Sequence, residues 1–269
     1  MNEEKVQVDD QGRDLIDGGF AVVDREKIIE EETRFVTPWY KHFINVFLAP
    51  RKMMDENFHN DPPKGLSVGI VGNILFTVIM ILLTVANPIM KQQVLDSFRM
   101  KGIAEEMMAQ KFAITQVTGV IAGIAGIFIG ALLVAVVIQV AKLIAKDKGK
   151  FGSIFAMVLL SNMVAAALMC VDKLIAFFIP TTTTVLGLPI LLSADLLASN
   201  IPLMVISQIL TLPSLLSIAI LVIGYSVVAS VSTKKSLVVI GSVQVFFILF
   251  SMGAAYIGQM IVQNMQVPM

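Results

Sequence analysis

The sequence has little of the chemistry on which disulfide frameworks, metal centres and nucleic-acid interfaces depend. Its 269 residues include one cysteine, Cys170, and two histidines, and only 15% of the residues are charged. A single cysteine excludes an intramolecular disulfide and any multi-cysteine metal site. The 20 basic and 20 acidic residues cancel, which leaves no basic excess to neutralise nucleic-acid phosphates. We therefore expect no nucleic acid as a partner.

Catalytic signatures are also missing. The two histidines, His42 and His59, have no carboxylates at metal-ligand spacing. The sequence contains no HExxH, Walker or GxSxG motif, and no base that could activate a serine nucleophile. The first 34 residues hold no apolar run of the kind that forms a signal-peptide core. The sequence predicts a protein that is not an enzyme and needs no cofactor or metal. We expect its N-terminus to stay on the side of the membrane where the chain is made.

What the chain has in abundance is apolar surface. Hydrophobic residues make up 56% of it and the mean hydropathy is +0.82, more than one soluble core could bury. A helix needs about 20 apolar residues to cross the hydrocarbon core of a bilayer. Five runs reach this length, at 66–89, 114–145, 151–179, 201–231 and 237–262. The predicted fold is all-α, a polytopic membrane protein with a five-transmembrane-helix bundle and an N-terminal cytoplasmic amphipathic helix.

The composition divides the chain into four parts. Residues 1–34 carry eleven acidic and five basic side chains with little apolar content, which predicts a flexible acidic tail in the cytoplasm. Residues 35–64 form an amphipathic, interfacial helix region. The transmembrane domain covers 65–262, and a short external tail follows at 263–269.

Two parts of the apolar sequence do not read as simple spans. In the fourth run, Pro202 and Pro213 either kink a helix or mark its first turn. The segment 180–200 is too apolar for an ordinary loop and too interrupted by proline and glycine for a spanning helix. We interpret this segment as interfacial or re-entrant.

The basic residues near the span ends favour one orientation. With the N-terminus in the cytoplasm, ten lysines and arginines near the spans are cytoplasmic and five are external. Cytoplasmic loops retain Lys and Arg because their translocation is costly. The sequence therefore predicts a cytoplasmic N-terminus and an external C-terminus.

The region before the first span combines aromatic and basic side chains. Aromatic rings and basic groups favour the headgroup layer of a bilayer, so we expect a helix that lies on the cytoplasmic leaflet. The alternative is a helix packed on the protein's own cytoplasmic face. The interface residues are Trp39, Tyr40, Phe43, Phe47, Arg51 and Lys52.

The second span carries small residues at four-residue intervals. Such spacing forms a groove that lets another helix approach closely. A neighbour within the same bundle is favoured over a second copy of the chain, and a homodimer is left open. The helix-packing residues are Gly119, Ala122, Gly123, Gly126 and Gly130.

Few polar side chains lie inside the spans, and nearly all are uncharged. Intramembrane charges are costly and mark ion or proton pathways, so their scarcity argues against a pump or a carrier of charged substrates. Asp172 and Lys173 are the exception, and we interpret them as a boundary position or a local ion pair rather than a transport site. With Asn162, they are the candidate functional polar residues.

The order of these features resembles the bacterial branch of the Yip family, the Ypt/Rab-interacting membrane proteins. The likeness rests on an entry segment with Phe47 and Pro50, on a span-three opening with Gly149, Phe151, Gly152, Ser153 and Phe155, and on a final helical hairpin. The resemblance covers about residues 40–262. It implies a five-span protein of the bacterial cytoplasmic membrane that acts as a non-enzymatic scaffold or accessory protein, and some bacterial relatives look like partners of ABC-type exporters.

This chain departs from the family pattern at two points. It has Ser161, Asn162 and Met163 where many relatives have Tyr-Ser followed by Pro, and it lacks the acidic Tyr-Gly-Pro element of eukaryotic relatives. The resemblance therefore does not imply binding to a small GTPase.

Two functions follow as hypotheses. The first is an interaction protein whose tail and interfacial helix dock a membrane-protein partner or shape the leaflet. The second is a small transporter or channel for a lipid-like or apolar substrate, with the prolines of the fourth run and the glycine groove as moving parts. Both place the protein in contact with the lipid bilayer.

Overall fold

The computed structural model describes residues 7–8, 14–15, 39–58, 63, 65–179, 181 and 184–265. The chain divides into two units, Met1–His42 and Phe43–Met269. In the first unit two short strands, β1 (Gln7–Val8) and β2 (Asp14–Leu15), pair in antiparallel register. Most of the predicted acidic tail lies outside the described residues, as do His59, Lys64 and the last four residues.

The described chain is otherwise almost entirely helical. Four of its helices, Gly65–Ala86, Glu105–Ile144, Phe151–Phe178 and the helix that begins at Thr233, are long and apolar enough to cross a membrane, so this is an integral membrane protein whose embedded helices contact the bilayer. The helices are α1 (Trp39–Leu48), α2 (Pro50–Asn57), α3 (Gly65–Ala86), α4 (Pro88–Met100), α5 (Glu105–Ile144), α6 (Phe151–Phe178), α7 (Ala194–Ser199), α8 (Ile201–Ile209), α9 (Leu212–Val228) and α10 (Thr233–Met265), with a 3₁₀ turn at Leu188–Leu191.

Helix α6 lies at the centre of the bundle and contacts α3, α5 and α9. Half of its most apolar stretch is buried inside the protein, compared with 17% for α5 and 11% for α10. Met157, Leu159 and Leu160 of α6 are completely buried. The outer faces of α5 and α10 are therefore the apolar surfaces that the single chain leaves to lipid or to another protein.

Glycine allows α3 and α6 to approach closely. A Cβ atom at Gly69 would lie only 2.9 Å from the Cβ of Leu159. One turn further along, Asn73 donates hydrogen bonds of 2.7 Å from Nδ2 to the carbonyl oxygens of Gly69 and Leu159. Such a link between helices is possible only at short separation, because the side-chain amide must reach the backbone of its neighbour.

The first predicted run, 66–89, ends earlier than its hydropathy suggests. Helix α3 ends at Ala86, and Asn87 caps a new helix by accepting hydrogen bonds at Oδ1 from the N–H groups of Ile89 and Met90. Pro88 occupies the first position of α4, where its missing N–H costs nothing.

The fourth predicted run, 201–231, is not one continuous helix. It is divided into α8 and α9 at Leu210 and Thr211, where Thr211 forms an isolated β-bridge with Gly187. The N–H of Leu212, in the first turn of α9, donates a hydrogen bond of 2.9 Å to the carbonyl of Leu186. This bond joins the start of α9 to the loop that follows α6. Pro202 and Pro213 mark the first turns of α8 and α9 rather than kinks. This corrects the expectation of a continuous span.

The 17 residues of α9 extend about 26 Å at about 1.5 Å per residue, slightly less than the roughly 30 Å hydrocarbon core. Ahead of it, the segment 184–200 forms the 3₁₀ turn and the six-residue helix α7. This segment is folded back on α8 and on the start of α9, which explains why its sequence is more apolar than that of an ordinary loop.

Candidate functional site

The turn between α5 and α6 is a compact polar structure. Lys146 and Gly149 both have left-handed backbone conformations, with φ of 54° and 120°. A Cβ at Gly149 would also lie 3.0 Å from the carbonyl oxygen of Val228, so glycine is required for both its conformation and its contact. Lys142, which is 6% exposed, donates from Nζ to the carbonyl of Gly149 at 2.6 Å.

Asp147 joins this turn to the hairpin between α9 and α10. Its carboxylate accepts a hydrogen bond of 2.9 Å from the hydroxyl of Tyr225 and forms an ion pair with Lys235. The Asp147 side chain is 3% exposed, and Tyr225 is fully buried. We call Lys142, Asp147, Tyr225 and Lys235 the turn cluster.

The electrostatics of the turn cluster favour the ionised carboxylate. Burial alone would raise the pKa of Asp147, but the hydrogen bonds from Lys235 and Tyr225 and the positive charge of Lys235 outweigh burial. The pKa of Asp147 therefore lies below its ordinary value. An ionised carboxylate held by a tyrosine and a lysine is suited to fixing two hairpins together.

A cavity of about 200 Å³ opens beside the turn cluster, at the start of α6. It has polar and apolar walls contributed by the α5–α6 turn, by α6, by the end of α9 and by the residue after α2. We call it the α6 cavity; it is lined by Phe58, Gly149, Lys150, Ser153, Val227, Val228 and Ser230.

At the opposite end of α6, Asp172 anchors a loop. It is fully buried, and its Oδ1 accepts hydrogen bonds of 2.7 Å from the N–H groups of Val185 and Leu186. Lys173 is half-buried, and no ion pair joins it to Asp172 in the described part of the chain. The predicted local ion pair is therefore replaced by two backbone contacts. Asn162, nearer the start of α6, is half-buried.

The small residues of α5 fall into two groups. Gly123 faces α3, where an added Cβ would lie 3.5 Å from Cδ1 of Ile81. At Gly119, Gly126 and Gly130 an added Cβ would meet nothing within 4 Å, and Ala122 is exposed. The structure thus brings one of the five predicted packing residues against a neighbouring helix. For the others, close helix packing remains a proposal about another chain.

The predicted interface segment is partly built into the bundle. Val46, Met53 and Met54 are completely buried, and Phe43 packs against the core. Trp39 and Tyr40 lie in the first turn of α1, and their side chains fall outside the described ones. Five other side chains of the segment are exposed; we call Ile44, Phe47, Leu48, Arg51 and Lys52 the entry surface.

A second cavity, of about 180 Å³, lies between the end of α3, α4 and the start of α5. Its walls are almost entirely apolar. The ammonium group of Lys91 lies over the ring of Phe112, 5.9 Å from its centroid, and Gly119 forms part of the wall. We call it the α3–α5 cavity. Within the residues that the structure describes, no three His, Cys, Asp or Glu side chains are close enough together to hold a metal ion.

Comparison with known proteins identifies the family. The model of the Yip1 domain matches residues 44–255, from α1 through most of α10. The chain belongs to the Yip1 domain family. No curated protein and no solved structure matches it. The resemblance found in the sequence is confirmed at the level of the family, and the Yip1 family is not known as an enzymatic one.

The turn cluster of this Yip1 domain was missed by sequence reasoning. Tyr225 and Lys235 lie 78 and 88 residues after the aspartate that they contact, and lysines in a turn are ordinary at a membrane surface. A signal did exist: Tyr225 is a hydroxyl-bearing residue in an apolar helix, and a buried tyrosine needs a partner for its O–H. Polar groups of the turns at 145–150 and 229–232 are candidate partners for this hydroxyl.

Proposed function

We propose that this Yip1-domain protein is a non-enzymatic accessory protein that acts through a membrane-protein partner. The observation that carries the proposal is the way the entry surface is held. Met53 and Met54 anchor its segment in the core, so the entry surface is presented on a fixed support. Its apolar members are 43% to 79% exposed, and a rigid exposed apolar patch is typical of a binding surface.

The composition of the entry surface suits a partner at the membrane boundary. Three apolar side chains lie next to the exposed Arg51 and Lys52. Such a patch fits a protein surface that combines an apolar groove with acidic groups at its edge. The resemblance to bacterial relatives favours an ABC-type exporter as the partner. Direct action on the leaflet is the other form of the same proposal, because basic and aromatic groups also favour headgroups.

Five spans and a cytoplasmic N-terminus belong to this proposal. Helix α9 is attached at its start to the loop that Asp172 anchors, and at its end to the turn at Gly149. These attachments lie toward opposite ends of α6, which supports α9 as a crossing helix despite its length. With α3, α5, α6 and α10, it makes five spans and leaves the C-terminus external in a bacterial cytoplasmic membrane.

The experiment is capture of the partner from native membranes. The full chain carries a tag, is crosslinked in the cell, and is purified in mild detergent. We compare it with the triple variant Ile44→Ser, Phe47→Ser and Leu48→Ser. The control variant, Leu143→Ser and Ile144→Ser, removes equally exposed apolar side chains from the end of α5.

We expect a stoichiometric protein partner with the native chain and the control variant, and its loss with the triple variant. Recovery of the partner by all three chains would mean that the entry surface does not bind it. A chain that is purified alone in all three cases would contradict the accessory role.

The α3–α5 cavity favours a second candidate function, a small transporter or channel for a lipid-like substrate. Its apolar walls and the ammonium group of Lys91 suit a molecule with an apolar chain and an anionic head. The test is flux of a fluorescent fatty acid in proteoliposomes. If this function is correct, Gly119→Leu, which projects into the cavity, lowers the flux, whereas flux equal to that of empty vesicles contradicts it.

A further inference from the structure

We propose that the segment 184–191, which follows α6, turns back into the membrane and places apolar side chains among the lipid acyl chains at that end of the bundle. Of the two interpretations of this part of the sequence, interfacial and re-entrant, the proposal selects the second. It does not depend on the accessory function, and it holds for either orientation of the chain. It rests on the depth of the segment, on its backbone hydrogen bonds and on the composition of the chain around it.

Two contacts show how α6 and α9 lie against each other. The hydroxyls of Ser161 in α6 and Ser217 in α9 are 2.6 Å apart, so these two residues lie at the same level of the bundle. Met157, before Ser161, lies beside Gly224, which comes after Ser217. The two helices are therefore antiparallel, and the end of α6 and the start of α9 point in the same direction.

The start of α9 lies well below the end of α6. From Ser161, α6 extends about 25 Å further to Phe178. From Ser217, α9 extends only about 8 Å in that direction, to Leu212. The whole of α6 is about 42 Å long and projects only several ångströms beyond a hydrocarbon core of roughly 30 Å at each end. The start of α9 is therefore inside the membrane.

Asp172 brings the segment to this depth. It lies about 9 Å before the end of α6 at Phe178. Its Oδ1 accepts hydrogen bonds of 2.7 Å from the N–H groups of Val185 and Leu186. The carbonyl of Leu186 in turn accepts from the N–H of Leu212 at the start of α9. After leaving α6, the chain has thus turned back along it to the level at which α9 begins.

The backbone of the segment has the hydrogen bonds that a re-entrant segment needs, because irregular backbone is tolerated inside a membrane only where its polar groups have partners. The N–H of Leu188 donates to the carbonyl of Leu210 at 3.1 Å. Gly187 forms the β-bridge with Thr211, and a Cβ at this glycine would lie 2.7 Å from Cγ2 of Thr211. A buried carboxylate in a span is costly, and the contacts of Asp172 give it a purpose: it supplies an acceptor where water is absent.

The exposed side chains at this level are apolar. We call four of them the re-entrant surface: Ile190 and Leu191 in the 3₁₀ turn, and Leu210 and Leu212 where α8 meets α9. They are 40% to 78% exposed. Residues 174–233 contain a single charged side chain, that of Asp195. An apolar cluster in so uncharged a stretch is unfavourable in water.

Lipid acyl chains are the occupant that fits the re-entrant surface best. The surface lies beside the end of the membrane helix α6, whose own apolar side chains are exposed there at Leu174, Phe177 and Phe178, so it continues a lipid-facing surface. None of its four members carries a charge, which a protein partner would use for orientation and selection. A second copy of the chain or another protein is the alternative that the test excludes.

The test measures the depth of a nitroxide spin label on the full chain in phosphatidylcholine vesicles. The label is attached to Leu191→Cys, at the most exposed position of the re-entrant surface. Leu249→Cys, in the middle of α10 and 63% exposed, is the reference for hydrocarbon. Lys101→Cys, in the exposed turn after α4, is the reference for water. The native chain, in which Cys170 is buried, gives the background of labelling.

We expect the label at position 191 to meet oxygen, which dissolves in hydrocarbon, as often as the label at position 249 does. Its collisions with a water-soluble nickel chelate should be at least about tenfold less frequent than at position 101, because a polar solute is excluded from hydrocarbon. Nickel collisions as frequent as at position 101 would place the segment in water and overturn the proposal. Low collision rates with both reagents would mean that protein covers the surface, which also overturns it.

The anchor is tested with the same label in two variants of Asp172. Asp172→Ala removes the acceptor of two backbone N–H groups, so we expect nickel collisions at position 191 to rise about threefold or more. Asp172→Asn keeps an acceptor oxygen and is the matched control, with a smaller rise. Equal collision rates in the native chain and both variants would show that Asp172 does not hold the segment in the membrane. The entry surface is intact in every variant, so partner capture tests the accessory function independently.

Discussion

Tyr225 in α9 donates a hydrogen bond of 2.9 Å to Asp147 in the α5–α6 turn, across 78 residues of sequence. The tyrosine is fully buried and the carboxylate nearly so. Because Lys235 at the start of α10 binds the same carboxylate, one aspartate holds parts of three helical segments together. The end of the bundle that carries the turn cluster and the α6 cavity is thus fixed by charge and hydrogen bonding as well as by apolar packing.

Replacement of Tyr225 tests the contribution of this link to stability. Tyr225→Phe keeps the ring and removes only the O–H, so the buried carboxylate loses a donor. We expect a decrease of about 1–3 kcal/mol in the free energy of unfolding, measured by denaturant titration in mild detergent. The control is Tyr256→Phe, at a residue that is 49% exposed, and it should be neutral. Equal effects of the two variants would show that the link adds nothing.

Acidification should weaken the turn cluster. The pKa of Asp147 is lowered in the folded protein, so its contribution to stability is complete above the ordinary value of 3.8. That contribution is lost as pH falls through the lower, folded pKa. We expect the thermal midpoint of the native chain to fall more steeply below about pH 4 than that of Asp147→Asn. Parallel pH profiles would contradict this assignment.

The glycines of α3 and α5 should respond differently to substitution. At Gly69 an added Cβ meets Cβ of Leu159 at 2.9 Å and its backbone at 3.4 Å, so Gly69→Ala should force α3 away from α6 and cost about 1–3 kcal/mol. Gly126→Ala adds a methyl group to open space, so it should leave the free energy of unfolding of the monomer unchanged.

A larger side chain at Gly126 tests the homodimer that the glycine face of α5 leaves open. If a second copy packs on this face, Gly126→Leu lowers the dimer fraction measured by single-molecule photobleaching in lipid vesicles, while Gly119→Ala changes it less. A dimer fraction that is identical in the native chain and Gly126→Leu would show that no second copy uses this face.

Asp172 should control the order of the loop that follows α6. Removing its carboxylate in Asp172→Ala deprives the N–H groups of Val185 and Leu186 of their acceptor. We expect these two amides to exchange with deuterium about tenfold faster or more. The neighbouring variant Lys173→Ala should leave their exchange unchanged. Protection that survives Asp172→Ala would mean that the β-bridge at Gly187 is sufficient to order the loop.

Much of the helical architecture is readable from the sequence, because a spanning helix needs only length and apolar composition. The run 151–179 corresponds closely to α6, and the run 114–145 ends with α5, which begins earlier, at Glu105. Helix ends are harder to predict where the sequence stays apolar. Asn87 ends α3 and caps α4 inside the predicted run 66–89, and the break at Thr211 depends on a β-bridge to Gly187, a contact that only the folded chain reveals.

The polar sites were predictable only in part. Asp172 was recognised as unusual, since a carboxylate near the interior of a span is costly. Its partners are backbone N–H groups of a loop, which have no sequence signature. Likewise the sequence places Met53 and Met54 in a surface helix, yet both are core residues, with Met53 beside Gly65 and Met54 beside Gly224. A core position in a short amphipathic helix and a lipid-facing one share the same pattern.

The accessory role is tested most directly by a photo-crosslinking amino acid placed at Phe47, in the centre of the entry surface, and compared with the same amino acid at Leu143. Both positions are exposed and apolar. Irradiation in native membranes followed by mass spectrometry should give one protein adduct specific to position 47, with only lipid adducts at position 143. Lipid adducts alone at both positions would contradict the claim that the entry surface binds a membrane-protein partner.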